Sequence, residues 1–365
     1  MAETTGKRKA DHIRICLEKK VQAKKATAGF EDIQLVHRAL PEVNKDKISL
    51  FTSFLGKKFS APLIVGAMTG GTEEATKINA SIAEAVENLH LGMGVGSQRA
   101  AIEDKKLEKT FSVARKKAPT AFLIANIGGS QLVRGYSLKE IKKAMEMIDA
   151  DALAVHLNAL QEALQPEGQT NFKGVLTKIT EIAGELDKPV IVKETGCGIS
   201  GEDAKSLEDA GVKAIDIGGV GGTSFAAVEY YRSSKKEMGE LFWDWGIPTV
   251  VSIIETTQTV KIPVIASGGV RNGLDIAKSL ALNAKLSSVS QPVLEVAVKG
   301  AEETREFLSG LIAELQNVMF LVGAENLEAL GKVPLVIGGK TSNWLNLRDF
   351  DTVSFAKRST LTFEY

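Results

Sequence analysis

At the end of one apolar run, four side chains able to do polar chemistry fall within a few positions of each other. In Ala150-Asp-Ala-Leu-Ala-Val-His156-Leu-Asn158-Ala-Leu-Gln161-Glu162 they are an imidazole, two amides and a carboxylate. Imidazole and amide groups orient a polar substrate by hydrogen bonds, and a carboxylate takes a hard cation such as Mg²⁺. The competing reading is a capped strand end with a solvated loop, and His156 by itself does not exclude it. A second chemical element is Ser267-Gly268-Gly269-Val270-Arg271-Asn272-Gly273, which joins free backbone N–H groups, a helix start and an arginine, the parts of a phosphate grip. A bare turn needs the glycines but not Arg271. A third is Arg8-Lys9-Ala10-Asp11-His12, where arginine can fork onto a phosphate and lysine acts as a point charge. Lys193 ends the run Pro189-Val-Ile-Val-Lys193-Glu194, and a charge at the end of a buried strand must find an anion or a polar ring. The pyrimidine edge of a flavin, anionic when reduced, would satisfy it.

What must position these residues is a unit that recurs along the chain. Short apolar runs ending in glycine or polar residues begin near Ala61, Leu91, Thr120, Ala150, Pro189, Ala214, Pro263 and Ala284, and each is followed by a helical pattern. Such an alternation predicts an α/β fold, a closed (β/α)8 TIM barrel with its site at the carboxyl ends of the strands. A doubly wound open sheet is the alternative, disfavoured because no run reads as antiparallel or as an edge. The division expected is an N-terminal arm and barrel entry over 1–60, the barrel over 61–323 and a C-terminal extension over 324–365. An insertion after strand six, Ala226 to Thr249 with Trp243 and Trp245, reads as a lid or partner surface. The glycines of Leu91-Gly-Met-Gly-Val-Gly-Ser-Gln-Arg99 do not make a dinucleotide fingerprint, which needs a helix opening inside them and an acidic residue about 20 positions on.

Composition narrows the function classes. With Lys+Arg 45 against Asp+Glu 45, no global field attracts nucleic acid or an anionic membrane, and no apolar stretch approaches the roughly 20 residues of a membrane span. The one basic segment, Lys7 to Lys25, sets eight cationic residues against Asp11 and Glu18. It is either a solvated helix or an arm folding over an anionic ligand. Cys16 and Cys197 have neither metal-ligand nor disulfide spacing, and the start lacks an apolar signal core, so the chain reads as cytoplasmic. Cys197 reads as a small loop residue rather than a nucleophile.

From Arg8 to about Val322 the chain resembles the type 2, flavin-dependent isopentenyl-diphosphate isomerases. The resemblance rests on Arg8-Lys9-x-x-His12, Ala67-Met68-Thr69-Gly70-Gly71, Ser97-Gln98-Arg99, Ala125-Asn126 and His156-Leu-Asn158-x-x-Gln161-Glu162. Val192-Lys193-Glu194, Gly221-Gly222-Thr223 and Ser267-Gly268-Gly269-x-Arg271-x-Gly273 complete it. It implies interconversion of isopentenyl and dimethylallyl diphosphates with FMN, Mg²⁺ and a reductant such as NADPH, zero net redox, and a homo-oligomer, tetramer or octamer. Carried over by position, Ala67, Met68, Thr69, Ser97, Asn126, Lys193, Thr223 and Gly269, Val270 and Arg271 would hold FMN. Arg8, Lys9, His12, Ser97, Gln98, Arg99 and Gln161 would face the substrate. Gln161, His156, Asn158 and Lys193 form the catalytic set, and Glu162 would bind Mg²⁺, with phosphates and water completing its shell.

The chain departs from that pattern at two strands. After strand six it has Gly218 where a small or polar side chain is usual. In strand eight, Asn283-Ala284-Lys285 and Ser288-Val289-Ser290-Gln291 stand where Gly-Ala-Asp and Gly-x-Ala are expected. Ser290 and Gln291 are expected to donate to the phosphate, and Lys285 must bend outward or leave an unpaired charge in the barrel. Two other functions stay open at this point: an FMN-dependent oxidoreductase on the same barrel, and a flavin-free binding barrel.

Overall fold

The computed structural model describes residues 2–233 and 236–359. Eight parallel strands close into one barrel, each arising from one of the eight predicted runs: β1 (Leu63–Val65), β2 (Gly92–Gly94), β3 (Phe122–Gly128), β4 (Ala152–Leu157), β5 (Val190–Glu194), β6 (Ala214–Asp216), β7 (Val264–Ala266) and β8 (Leu286–Val289). β8 pairs with both β7 and β1, so the sheet has no free edge. Strand alternation sorts the side chains into an outer and an inner set. The inner set packs Ile64, Ile124, Ala154, Ile191, Ile265 and Leu286 in one cluster with Phe54 and Phe59, which enter from the antiparallel hairpin Thr52–Phe54/Lys57–Phe59. Phe54 and Phe122 meet edge to face at 5.7 Å, and the rings plug the amino end of the barrel. The hairpin closes tightly because Leu55 and Gly56 both adopt positive φ, the conformation of a two-residue type I′ turn.

One step further along each strand, the inner positions turn polar. Register places His156 opposite Lys193, and Lys193 opposite Asp216, at the carboxyl mouth. In β8, Leu286 lies in the inner cluster, so Ser288 takes the next inner place, whereas Lys285 is exposed at the strand's start and puts no charge in the barrel. The polar departure at strand eight therefore falls on the site, not on the packing.

The basic segment forms a 17-residue helix, Ala2–Glu18, anchored by Ile13 and Ile15, both 4% exposed. Its seat is the insertion after β6, which folds as the helices Phe225–Arg232 and Lys236–Leu241 before the barrel helix Thr249–Thr259. Trp243 is buried with Ile15, Val21, Ala227 and Val228, donates its indole N–H to the Gln22 carbonyl at 2.9 Å, and carries Lys24 Nζ over its ring at 3.7 Å. Of the two expectations for the insertion, a lid or a partner surface, the structure shows a surface that seats the N-terminal helix, and that helix covers the mouth. Of the C-terminal segment, Leu335–Ile337 pairs with Ile33–Leu35 outside the barrel, and the helix Gly339–Leu347 packs on Thr249–Thr259.

Candidate active site

A deep cavity opens at the carboxyl ends of the strands under the N-terminal helix. It gathers residues from all eight βα connections. The helix contributes Arg8, Lys9, His12 and, one turn on, Cys16; the loop after β1 contributes Ala67, Met68 and Thr69. Ser97, Arg99 and Asn126 follow from β2 and β3, then His156, Asn158, Gln161 and Glu162 from β4, and Lys193 from β5. Thr223, Gly269, Val270 and Arg271 line the far wall, with Ser290 and Gln291 after β8.

Gln98 is the exception among the predicted site residues. It is fully buried behind the wall; its Nε2 donates to the Ala144 carbonyl at 2.8 Å and its Oε1 accepts the Asn126 N–H at 2.9 Å. Its amide is consumed in bracing Asn126 and has no group left for a ligand. Asn126 in turn gives Nδ2 to the Val95 carbonyl at 3.0 Å, so its Oδ1 accepts from His156 Nδ1 at 2.8 Å. That fixes the His156 tautomer with the proton on Nδ1 and the lone pair on Nε2. Burial, reinforced by Lys193, Lys9 and Arg8, depresses the imidazole to about 3, so it works as a neutral group.

Glu162 is not a surface residue: it is 6% exposed. Its Oε2 accepts from Gln165 Nε2 at 2.7 Å and from the Gln169 N–H at 2.6 Å, while Oε1 takes only a long bond of 3.2 Å from Asn158 Nδ2. Asn158 also donates to Gln161 Oε1 at 2.9 Å, and its own Oδ1 is buried without a partner. Among the described residues no three His, Cys, Asp or Glu side chains converge as a metal cage. Glu162 can therefore serve a hard cation only as one ligand beside oxygens from elsewhere.

The cationic end is tightly assembled. Lys9 Nζ donates to the Ser97 carbonyl at 2.6 Å and lies 5.0 Å from the centre of the Phe111 ring. Burial lowers its ammonium to about 7, with Arg8 and Arg99 adding to the effect and Glu103 opposing it. Arg99 is tied to Glu103 at 2.8 Å. His12 spends Nε2 on Glu229 Oε1 at 2.9 Å, so it reaches the cavity as an anchored ring. Cys16 is no nucleophile, since burial pushes its thiol up to about 12, and Cys197 is raised by burial and by Glu194.

Opposite lies a wall made of backbone. Gly268 and Gly269 adopt positive φ, and a Cβ on Gly222 would strike the Gly269 nitrogen at 2.6 Å, so the loops after β6 and β7 touch main chain to main chain. Gly218 is likewise required: its φ is +50°, its N–H donates to Ser267 Oγ at 2.8 Å, and a Cβ there would enter the Glu194 carbonyl. At β8, Ser288 is 3% exposed and its hydroxyl has no partner, while Gln291 directs its amide N–H to Glu295. Gly66 leaves the space that the Ser288 and Ser290 hydroxyls enter.

Two carboxylates at the mouth are missed by sequence reasoning. Asp216 accepts the Ser267 hydroxyl, and burial pushes its carboxyl up against the pull of Lys193, Ser267 and the Gly218 N–H. Glu194 takes the N–H groups of Thr195, Gly196 and Cys197 on one oxygen, yet burial holds it up at about 7. The available signal was an acidic residue at an inner position of Ala214-Ile-Asp216 and one directly after Lys193. Lys193 itself donates to the Glu194 carbonyl at 2.8 Å.

Residues 1–124 and 142–336 match the model of the FMN-dependent dehydrogenase family. The chain is 50% identical over 362 residues to the isopentenyl-diphosphate delta-isomerase of Methanosarcina barkeri, covering 98% of each chain. It is 49% identical to that of Methanothermobacter thermautotrophicus, over 96% of this chain and 99% of the other, and 48% identical to that of Pyrococcus furiosus, over 98% and 93%. Among solved structures, a lactate oxidase of Pediococcus acidilactici superimposes with a TM-score of 0.63 at 19% identity, over 93% of this chain and 94% of the other. A mandelate oxidase variant gives 0.60 at 17%, over 87% and 94%. At that identity these two speak for the barrel alone.

Proposed function

The chain belongs to the FMN-dependent dehydrogenase family and, within it, to the isopentenyl-diphosphate delta-isomerases, and on that premise we propose that its cavity interconverts isopentenyl and dimethylallyl diphosphate with reduced FMN and no net redox change. The observation that carries the reading is that the carboxylates lining the cavity are already engaged. Glu162 is held by Asn158, Gln165 and Gln169, Glu194 by three backbone N–H groups, and Asp216 by Ser267. His156 is neutral and locked in one tautomer. An allylic shift needs a proton given to one carbon and taken from another, and no side-chain pair here is free for both.

The residues fit FMN: the glycine-lined wall admits close approach of a phosphate, and the buried Ser288 hydroxyl lacks the partner a ligand would supply. Ala67, Met68, Thr69, Asn126, Lys193, Thr223, Gly269, Val270, Arg271 and Ser290 would hold it. A proton donor and acceptor for the shift is what reduced FMN supplies when bound. The protein's own part is placement. Arg8, Lys9 and Arg99 neutralise the diphosphate at one end, and Gln161, oriented by Asn158, meets the hydrocarbon chain beside it. His156 offers a neutral acceptor, and the N-terminal helix keeps water from the mouth. Glu162 would be the carboxylate that helps to hold Mg²⁺, a hard cation that would offset the charge of the diphosphate.

NADPH as the reductant, a homo-oligomer and cytoplasmic residence belong to the same proposal. Exposed Leu241, Trp245 and Leu347 give apolar area for subunit contact, and among the described residues no helix is long and apolar enough to cross a membrane. The test is anaerobic conversion of isopentenyl diphosphate by the FMN-loaded protein with NADPH. Many turnovers per NADPH are expected; one NADPH consumed per product would instead make the protein an oxidoreductase.

A further inference from the structure

Arg8 and His12 lie one helical turn apart on the N-terminal helix, and both are tied to the barrel by one chain of polar and charged side chains. His12 Nε2 meets Glu229 Oε1 at 2.9 Å, and Glu229 Oε2 accepts from Arg232 Nε at 2.8 Å. Arg232 Nη2 donates to Glu167 Oε2 at 2.8 Å, and Glu167 Oε1 faces Arg8 Nη1 at 3.8 Å. The circuit starts and ends on the same helix. In between it crosses the helix Phe225–Arg232 and the loop that follows Ala159–Leu164.

Two features separate this circuit from an incidental surface pair. Glu229 is 1% exposed, so its charge depends on the Arg232 guanidinium and on His12. Glu167 also sits between Gln165 and Gln169, the two residues that grip the carboxylate of Glu162. The short segment 165–169 thus fixes the candidate metal carboxylate on one side and faces Arg8 on the other. Arg232 itself does not line the cavity; it joins Glu167 of this segment to Glu229 of the helix platform.

We propose that Arg232 is a positioning residue that clamps the N-terminal helix over the mouth, so that Arg8 and Lys9 meet a diphosphate already in place. The inference rests on the diphosphate reading above. Without the guanidinium, Glu167 and Glu229 repel, Glu229 keeps only His12, and both tethers of the helix loosen together. None of the residues that would hold FMN takes part in this circuit.

The experiment uses the full chain loaded with FMN, as wild type, Arg232→Met and Arg232→Lys, with inorganic pyrophosphate as the probe. Arg232→Met is expected to weaken pyrophosphate binding roughly tenfold, the scale of cutting a partly buried charged link, with Arg232→Lys in between. The FMN dissociation constant should stay within about twofold, and trypsin should cleave after Lys7 and Arg14 faster. In turnover, KM should rise while kcat holds. Unchanged pyrophosphate binding in a folded, FMN-loaded Arg232→Met protein overturns the proposal. Should that variant not fold, Glu167→Gln cuts the same circuit at the exposed loop and must show the same direction. If wild type binds no pyrophosphate, the diphosphate reading fails, and the trypsin arm still decides the clamp: faster cleavage supports it and unchanged cleavage rejects it.

Discussion

Lys9 should take up a proton when a diphosphate enters the cavity. It is enclosed by Arg8, Arg99 and the Phe111 ring, and its ammonium is lowered to about 7 from an ordinary 10.5. At pH 8 about nine in ten Lys9 side chains are then neutral, and a bound diphosphate that restores the ordinary value draws in about 0.9 proton. Pyrophosphate affinity attributable to this residue should fall as pH rises from 7 toward 10.5, approaching tenfold per unit. Calorimetry at pH 8 in two buffers of different ionisation enthalpy counts the protons. Pyrophosphate's own protonation is common to wild type and Lys9→Met, so the difference between the proteins isolates the lysine. The sign has a counterpart in stability. A lysine whose folded value lies below its unfolded one penalises the folded state fully below pH 7, and the penalty is relieved between 7 and 10.5. Wild type should therefore gain thermal stability over that window relative to Lys9→Met. Equal proton uptake by the two proteins would refute the reasoning, because it would mean that Lys9 is charged before the anion arrives.

Further outcomes follow from the site. Gln161→Ala should mainly lower kcat, whereas Glu162→Ala should shift the Mg²⁺ dependence; superimposable Mg²⁺ titrations for wild type and Glu162→Ala would count against the metal assignment. Ser288→Ala, which removes a buried hydroxyl without a protein partner, should raise the FMN dissociation constant by about fivefold, the worth of one hydrogen bond of roughly 1 kcal/mol. Riboflavin titrated in parallel tells whether the hydroxyl serves the phosphate or the rest of the cofactor, and unchanged affinity for both would remove Ser288 from the site. His156, depressed to about 3, stays neutral from pH 5 to 8, so it should add no inflection to kcat/KM in that range. Its folded value lies below the ordinary 6.5, so its contribution to stability is complete above pH 6.5 and lost as pH falls toward 3. Thermal melts of His156→Gln should show a correspondingly smaller loss in acid.

The barrel was legible because a strand buried on both faces has a plain signature, an apolar run, and because each run here stops at polar residues or glycine. All eight strands lie where those runs lie, and the stops became the mouth. What sequence could not show was direction and distance. Ser97, Gln98 and Arg99 are consecutive, yet the structure turns only the first and third to the cavity and folds Gln98 under the Ala144 carbonyl. Trp243 and Trp245 differ by two positions, and one is 5% exposed against the N-terminal helix while the other is 61% exposed; composition cannot tell a platform from a lid. The circuit through Arg232 was invisible for a related reason. Its links join positions 8, 167, 229 and 232, and such separations acquire meaning only once the fold closes.

Strand eight shows the opposite case, where a local rule was sufficient and decides the outcome. Side chains alternate along a strand, so if Leu286 packs inside the barrel, Ser288 must face inward and Lys285 cannot. The lysine is in fact exposed, and the inward serine is the one with an unpaired hydroxyl. Replacing the glycine and alanine expected there by two serines would crowd the cavity if nothing made room. Room comes from the neighbouring strand: Gly66 has no Cβ, and one placed there would collide with both hydroxyls. The serine hydroxyls lean into that space over Gly66, and both residues remain in the cavity lining. The departure therefore adds hydroxyl groups in space that Gly66 leaves free, which keeps the site open to a cofactor. It also makes Gly66→Ala the sharper disruption: the methyl would push both serines inward, and flavin binding should suffer more than from Ser288→Ala, a ranking that the same titrations measure.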